Sequence, residues 1–458
     1  MATNRDNGLI KGLGLLDSTT LVMGSMIGSG IFIVAADIAR QVNSPGSLMM
    51  TWFVSAAMTV IAALSYGELA AAMPHAGGQY VYLREAFGPM WGFLYGWTLF
   101  LVIQTGTIAA VAVAFAKYTG IFVPWISAEN YLFGEGRLGL TTQELLAIAM
   151  VLLLSWSNTQ GIRTGAVVQN VFTFAKTAAL LGLIGFGLLL GRNAGAVHSN
   201  FTDFWRNSGW NFTTVRLVGV AMVGALFSSD AWNNVTFTAA EVRNPKRNLP
   251  LSLALGVGMV SALYIACNFV YLNVLPLEAI QHASEDRVAT EVVKVFSPLG
   301  VQLMAAAIMV STFGCNNGLI LAGARVSYAM AKDGLFFQRA AQVDPVHHTP
   351  RFALLVQCIW TVLLIVSGSY SDLLDYVIFA ALLFYILTIS ALFVLRRTQP
   401  TLERPYRAFG YPVLPALYLI AATVIEVLLV LYKWQNAGRG LLIVLIGVPV
   451  YFVWHRRR

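Results

Sequence analysis

The chain has 458 residues, 57% of them hydrophobic and 11% charged, with a mean hydropathy of +0.70. Soluble domains carry roughly 25% charged residues, so this chain lacks the polar covering that a water-soluble fold of its length needs. Its net charge of +8 is spread through loops and not gathered in a basic domain, which excludes a nucleic-acid partner and fits the positive-inside bias of membrane proteins.

Polar backbone groups in a bilayer must be satisfied within the segment, so apolar runs of ~20 residues are read as helices. The ~10-residue alternating segments of a membrane barrel are absent. Twelve windows follow in chain order: 15–40, 47–73, 90–118, 144–158, 167–190, 215–238, 251–274, 299–330, 352–367, 374–395, 413–432 and 441–454. The polar stretch 1–17 lacks the cationic, apolar, small-residue order of a cleaved signal peptide, so the first span is expected to direct insertion. Residues 1–14 form a short cytoplasmic segment. Between the second and third windows, Tyr80, Val81, Leu83, Arg84 and Phe87 make an amphipathic pattern that predicts a short interfacial helix over 74–87. A second short outside helix is predicted within 277–295, and 404–412 reads as an irregular connection.

Charge orients the set. With the N-terminus inside, 18 of the 29 lysines and arginines fall on the cytoplasmic side and 10 on the other, with Lys176 left inside a span. The cytoplasmic group includes Arg5 and Arg456 to Arg458; the other includes Arg137 and Arg287. This bias predicts both termini in the cytoplasm and insertion in the inner (plasma) membrane. The three cysteines, Cys267, Cys315 and Cys358, all lie in apolar stretches, and the histidines form no cluster, so no disulfide framework, metal site or cofactor is expected.

Two spans are interrupted at matching places. The first carries Gly24-Ser-Met-Ile-Gly-Ser-Gly30, and the sixth carries Ser228-Ser-Asp-Ala231 followed by Trp232-Asn233-Asn234. The interruptions are about 200 residues apart, and Pro45, against Pro245 and Pro250, repeats at about the same offset. Paired broken segments in two halves point to an inverted-repeat secondary transporter with its site at the midplane. Unwinding at Gly28–Gly30 would leave the amides of Ser29, Gly30 and Ile31 without intrahelical acceptors, at the positive end of the next half-helix, a setting for a carboxylate. A half-helix ending near Phe227 would expose carbonyls of Phe227, Ser228 and Asp230, a setting for an ammonium group. Small residues that only let helices pack closely are the competing reading.

Three intramembrane polar residues have two readings each. Asp230 either caps a half-helix starting at Ala231 or lines the pocket for the substrate side chain. Lys176, mid-span at an insertion cost of roughly 2.5–3.5 kcal/mol, either snorkels to the interface or accepts the carbonyls of the unwound first span. Asn317 is either an interhelical hydrogen bond or part of a gate. Glu68, near the end of the second span, is expected to face the interface. No paired carboxylates or nucleophile–base set appears in the spans, which argues against an enzyme, and no ring-forming polar repeat argues for a channel.

The segments Gly24-Ser-Met-Ile-Gly-Ser-Gly-Ile-Phe32, Phe227-Ser-Ser-Asp-Ala-Trp-Asn-Asn234 through Glu241-Val-Arg-Asn-Pro-Lys-Arg-Asn-Leu-Pro250, and Phe313-Gly-Cys-Asn-Asn-Gly318 resemble the L-type amino acid transporter family of the amino acid–polyamine–organocation superfamily. The likeness runs from about residue 13 to 396. It implies an all-α, twelve-span membrane protein with a five-plus-five inverted repeat (15–190 and 213–396), two further helices (411–455), and discontinuous helices in spans one and six. It also implies sodium-independent exchange of L-amino acids. Residue by residue, Ile27, Gly28, Ser29 and Gly30 match the carboxylate-binding segment, Phe227 the aromatic gate, and Ser228 and Asp230 the amino-group and side-chain region. Phe379 and Leu382 match positions bordering the side-chain pocket, and Lys176 a lysine standing where related sodium-coupled transporters hold an ion. Trp232, Asn233 and Asn317 are grouped with Lys176 and Phe227 as coupling or gating candidates. Ser229 replaces a frequent aromatic, Ala231 a frequent glycine and Leu382 a tryptophan found in some relatives, changes that reshape the pocket. The loop 120–140 lacks the cysteine with which animal members join a glycoprotein subunit, so no such partner is expected. The expectation is an exchanger of small to medium neutral L-amino acids embedded in lipid; a cationic or mixed exchanger using Asp230 and a proton-coupled symporter are the alternatives.

Overall fold

The computed structural model describes residues 8–134, 139–209, 211–283, 288–295, 299–368 and 370–455. Arg5, Arg137, Arg287 and Arg456 to Arg458, which entered the charge count, lie outside the described residues. Helices cover all twelve predicted windows. The first window is α1 (Leu15–Met26) and α2 (Gly30–Val42), bent by 41° at the break between them. α3 (Pro45–Ala72) follows, started by Ser44, whose hydroxyl accepts the amide of Ser47, with Pro45 in the first turn where a missing N–H costs nothing. After α4 (Gln79–Phe87), one long span runs through α5 (Pro89–Thr98), a five-residue π segment (Leu99–Ile103) and α6 (Gln104–Thr119).

A small antiparallel hairpin, β1 (Tyr131–Phe133) with β2 (Leu140–Thr141), stands outside the helices and is the single departure from an all-α chain among the described residues. Thr141 and Glu144 then form a reciprocal capping box that starts α7 (Thr142–Thr159). α8 (Ile162–Leu189) and the short α9 (Ala194–Phe201) complete the first half. In the second half α10 (Phe212–Ser228) ends at the second break. A single turn, α11 (Asn234–Phe237), and a 3₁₀ turn (Ala239–Glu241) lead on to α12 (Pro245–Val274). Two short helices, α13 (Leu277–Gln281) and α14 (Val288–Lys294), stand where one was expected. α15 (Gly300–Lys332), α16 (Arg351–Val366), α17 (Tyr370–Thr398), α18 (Val413–Tyr432) and α19 (Trp434–His455) finish the chain.

Among the described residues, eight helices are long and apolar enough to cross a membrane, nine when the bent α1–α2 pair counts as one span; α10 and α16 are shorter apolar helices. The outward faces carry large apolar side chains such as Phe174, Phe186, Leu303 and Ile420, as a lipid-facing surface does.

Two expectations change. The segment over α4 is not an interfacial helix: Tyr80, Val81, Tyr82 and Leu83 are all buried, packed against α5 and α17, and Arg84 pairs with Asp333. Its apolar stripe faces protein because Gly78, at φ +45°, turns the chain inward against Thr236. Glu68 does not face the interface either. It is 1% exposed, receives Arg396 at 2.9 and 2.5 Å and the amide of Ala408 at 2.7 Å, and lies 3.3 Å from Arg404. These partners lie over 300 residues away in sequence, which is why the expected position missed them.

The N-terminal segment is tied down at the same end of the bundle. The amides of Gly12 and Leu13 donate to the Glu241 carbonyl, and that of Arg243 to Leu13. Beside them the fully buried Arg325 makes a two-pronged ion pair with Glu241, at 2.8 and 3.0 Å. Removing one partner of such a pair strands a buried charge, at a cost of about 3–5 kcal/mol. Arg325→Met is therefore expected to lower the unfolding temperature of the purified protein in detergent sharply. Adding Glu241→Gln should recover most of that loss, and a double variant no better than the single one would refute the account.

Candidate functional site

The site grows from the first break. Ile27 closes α1 with its amide on the Met23 carbonyl, and α2 restarts at Gly30 with Ser29 ahead of it. Five carbonyls at the break, from Gly24 to Gly28, are reached by side chains from three other helices. The ammonium of Lys176 on α8 donates to Gly24 at 2.6 Å and Ile27 at 2.7 Å, and to Ser311 of α15 at 3.3 Å. The Ser311 hydroxyl lies 3.1 Å from the Ile27 carbonyl and 2.9 Å from that of Gly28. The Cys315 thiol donates to the Ser25 carbonyl at 3.2 Å. Tyr264 on α12 places its hydroxyl 3.0 Å from the Met26 carbonyl and 3.1 Å from that of Ser228, bridging the two breaks. Lys176 is 0% exposed, so snorkelling is excluded.

The two breaks touch. A β-carbon on Gly30 would lie 2.4 Å from the Ser228 hydroxyl and 3.0 Å from its α-carbon, so only glycine lets the start of α2 meet the end of α10. Gly24 is equally confined, with Gln169 and Thr173 of α8 at 1.8 and 2.4 Å from such an atom. Beside this contact lies a cavity of about 650 Å³. Its walls include Ser25, Gly28, Ser29 and Gly30 from the first break and Phe227, Ser228, Asp230 and Asn233 from the second. Gln79, Gln104, Cys315 and Tyr385 come from the surrounding helices. The first amides of α2 stand at its positive end beside this cavity, where an anionic group is favoured.

The second break differs from its expected form. The amide of Asp230 returns to the Phe227 carbonyl at 3.2 Å, and Ser228's carbonyl meets Tyr264, so each of these acceptors keeps one lone pair for a ligand. Asp230 does not cap a helix starting at Ala231. Ala231 takes a left-handed conformation, φ +64°, and the next helical turn begins only at Asn234 with Asn233 ahead of it. That geometry accounts for the preference for glycine at this position in the resembling family. The Asp230 carboxylate instead accepts the Tyr385 hydroxyl at 2.5 Å. Asn233 donates to Gln79 at 2.8 Å, and Gln79 to the Phe384 carbonyl at 3.1 Å, which ties α4 and α17 to the break.

The structure brings Gly28, Ser29, Gly30, Phe227, Ser228, Asp230 and Asn233 to one cavity. Ile27 lies behind its wall and reaches the site through its carbonyl. Phe379 is buried and is not on the wall; its neighbours Ile378 and Leu382 border a second, adjoining space, and Ala381 borders both. Trp232 is also behind, its ring 4.7 Å from that of Tyr66 and 5.3 Å from that of Tyr385. Asn317 makes interhelical hydrogen bonds: it donates to Gly165 at 3.0 Å and Gln169 at 2.9 Å and accepts from Asn158 at 3.0 Å. Sequence reasoning missed Tyr264, Ser311, Tyr385, Gln79 and Gln104, which are ordinary residues in apolar or amphipathic runs. A polar group recurring on the faces of α12, α15 and α17 toward the breaks is the signal they left. Among the described residues no group of three potential metal ligands occurs.

Comparison with known proteins agrees with this geometry. The family model described as amino acid permease matches residues 13–451. The serine/threonine exchanger SteT of Bacillus subtilis (strain 168) is 30% identical over 99% of this chain and 99% of its own. The mouse b(0,+)-type amino acid transporter 1 is 30% identical over 92% of this chain and 84% of its own. The human large neutral amino acids transporter small subunit 2 is 31% identical over 97% and 80%. The chain belongs to the amino acid permease family, and it is a membrane transporter and not an enzyme.

Proposed function

We propose that this protein exchanges small to medium neutral L-amino acids across the inner membrane, without sodium, by alternating access around the two breaks. The observation that carries the reading is the meeting of the α2 start with the α10 end at one cavity, held by Gly30 against Ser228. The substrate carboxylate sits on the amides of Ser29, Gly30 and Ile31, where the dipole of α2 favours an anion. The ammonium takes the remaining lone pairs of the Phe227 and Ser228 carbonyls, with Phe227 closing over it. Its side chain projects toward Asp230 and Tyr385.

Lys176 supports a sodium-independent mechanism. The side-chain nitrogen of Lys176 already donates to the carbonyls of Gly24 and Ile27, which a cation would otherwise bind. Asp230 supports neutral over cationic substrates, because its carboxylate is engaged by Tyr385. The relative named as a serine/threonine exchanger supports both exchange and a small substrate.

The proposed architecture is twelve spans in a five-plus-five inverted repeat followed by α18 and α19, with both termini cytoplasmic. Its support is the pairing of equivalent helices, α3 on α12 and α6 on α15, as a two-fold axis in the membrane plane requires.

Vesicles loaded with serine are expected to take up labelled serine equally well in sodium and in choline buffer. Empty vesicles should show only background uptake. Uptake into empty vesicles driven by an imposed pH gradient would replace exchange with symport. Lys176→Ala leaves buried carbonyls unpaired at about 1–3 kcal/mol, so counterflow should fall on the order of ten- to a hundred-fold while the protein still elutes as a monodisperse species. Gly30→Ala overpacks the contact of the two breaks at about 1–3 kcal/mol; it should weaken serine binding, with partial recovery on adding Ser228→Gly.

A further inference from the structure

Behind the Asp230–Tyr385 hydrogen bond lies a second, narrow chamber between α3, α10, α17 and α18. It shares Asp230, Ala381 and Tyr385 with the main cavity, so the two spaces are separated by this one pair of side chains and the small Ala381. The rest of its wall includes Thr59, Ala62, Leu226, Ser229, Leu382 and Tyr418. The wall is mostly apolar, with hydroxyls at its edge. A bulky apolar or aromatic side chain fits that chemistry.

The partition is held by ring packing and by its hydroxyl. Ring centroids of Trp232 and Tyr66 lie 5.3 and 6.0 Å from that of Tyr385, tilted and edge-on respectively, and Trp232 and Tyr66 are themselves 4.7 Å apart. At its tip the hydroxyl is 2.5 Å from Asp230 and 3.5 Å from the Asn233 oxygen. The carboxylate is presented to it by the left-handed turn at Ala231. Ser229 and Leu382, the two small replacements noted in the sequence, both line the chamber behind the partition. The Tyr385 ring stands between them and the main cavity.

We propose that Tyr385, held by Asp230, is a size-selecting partition: closed, it confines the substrate side chain to the main cavity and keeps bulky apolar side chains out of the second chamber. This rests on the reading that the main cavity binds an amino acid. Truncating Tyr385 joins the two spaces, whereas removing only its hydroxyl leaves the ring clamped by Trp232 and Tyr66.

The test compares phenylalanine with serine as competitors of labelled serine in counterflow. In parallel, it compares the concentrations at which each stabilises the purified protein against heat, a readout that does not require transport. Wild type should favour serine. Tyr385→Ala should shift the phenylalanine-to-serine ratio toward phenylalanine by about ten-fold or more, the scale of discrimination that a few methylenes of pocket space provide. Tyr385→Phe should shift it far less, and Ala62→Phe, which fills the chamber, should reverse the gain when added to Tyr385→Ala. If the alanine variant does not assemble, Tyr385→Leu carries the same comparison. A ratio unmoved by truncation, or a gain that survives filling the chamber, overturns the partition. If wild type binds neither amino acid, the functional reading above fails instead, and the two failures are told apart by wild type alone.

Discussion

One buried ammonium holds the middle of this molecule together. A helix that stops at Ile27 and restarts at Gly30 strands carbonyl oxygens in the interior of a membrane protein, where no water replaces the lost bonds. Lys176 answers that deficit with a single charged group directed at Gly24, Ile27 and Ser311, so the ion and the strand it pairs with stabilise each other. Neither is tenable alone: the lysine would be an unpaired charge, and the open carbonyls would be unsatisfied acceptors. Ser311, Cys315 and Tyr264 complete the set, and because they come from α12 and α15, the break is fixed to three helices besides its own.

That dependence explains what lies outside the break. Gly24 and Gly30 have no room for a side chain because the donors must come within hydrogen-bond reach and because α2 must meet α10. The chain's sites of close approach are therefore set by satisfaction of polar groups, with small residues as the means. Packing by small residues and formation of a site are the same fact at these positions. Farther out, the Glu241–Arg325 pair and the bonds of Gly12 and Leu13 to the Glu241 carbonyl anchor the segments that enter and leave the two broken spans.

Much of this was legible in the sequence for a physical reason. Hydropathy windows located the helices because lipid demands continuous apolar faces, and the glycine-rich and Ser-Ser-Asp interruptions located both breaks because they defeat helical pairing at those points. Lys176 stood out through its cost. The illegible part is pairing over distance. Tyr264, Ser311 and Tyr385 become meaningful only when a carbonyl or carboxylate about 36 to 284 residues away is brought beside them. Asp230 kept two readings because a cap and a pocket acid have the same local pattern; the left-handed turn at Ala231, which rules out the cap, leaves no compositional mark when alanine adopts it. Glu68 was misplaced, and Asn317 kept two readings, for the same reason: their partners lie on other helices.

The two breaks are not equivalent, and their difference divides the labour of recognition. The first is satisfied from outside, by side chains of α8, α12 and α15 that leave it little freedom. The second is satisfied largely by its own backbone, through Ser229 on Ala225, Asp230 on Phe227 and Asn234 on Ala231, with Tyr264 its one cross-helix donor to a carbonyl. Its other ties to neighbouring helices run through its own side chains, Asn233 to Gln79 and Asp230 to Tyr385, whereas the backbone of the first break is held by four side chains of other helices. Under the proposed reading, the constant part of an amino acid, its carboxylate, is matched to the first break. Its variable part then faces the segment whose residues, Ser229, Asp230 and Ala231, can change without unseating the lysine that holds the first break.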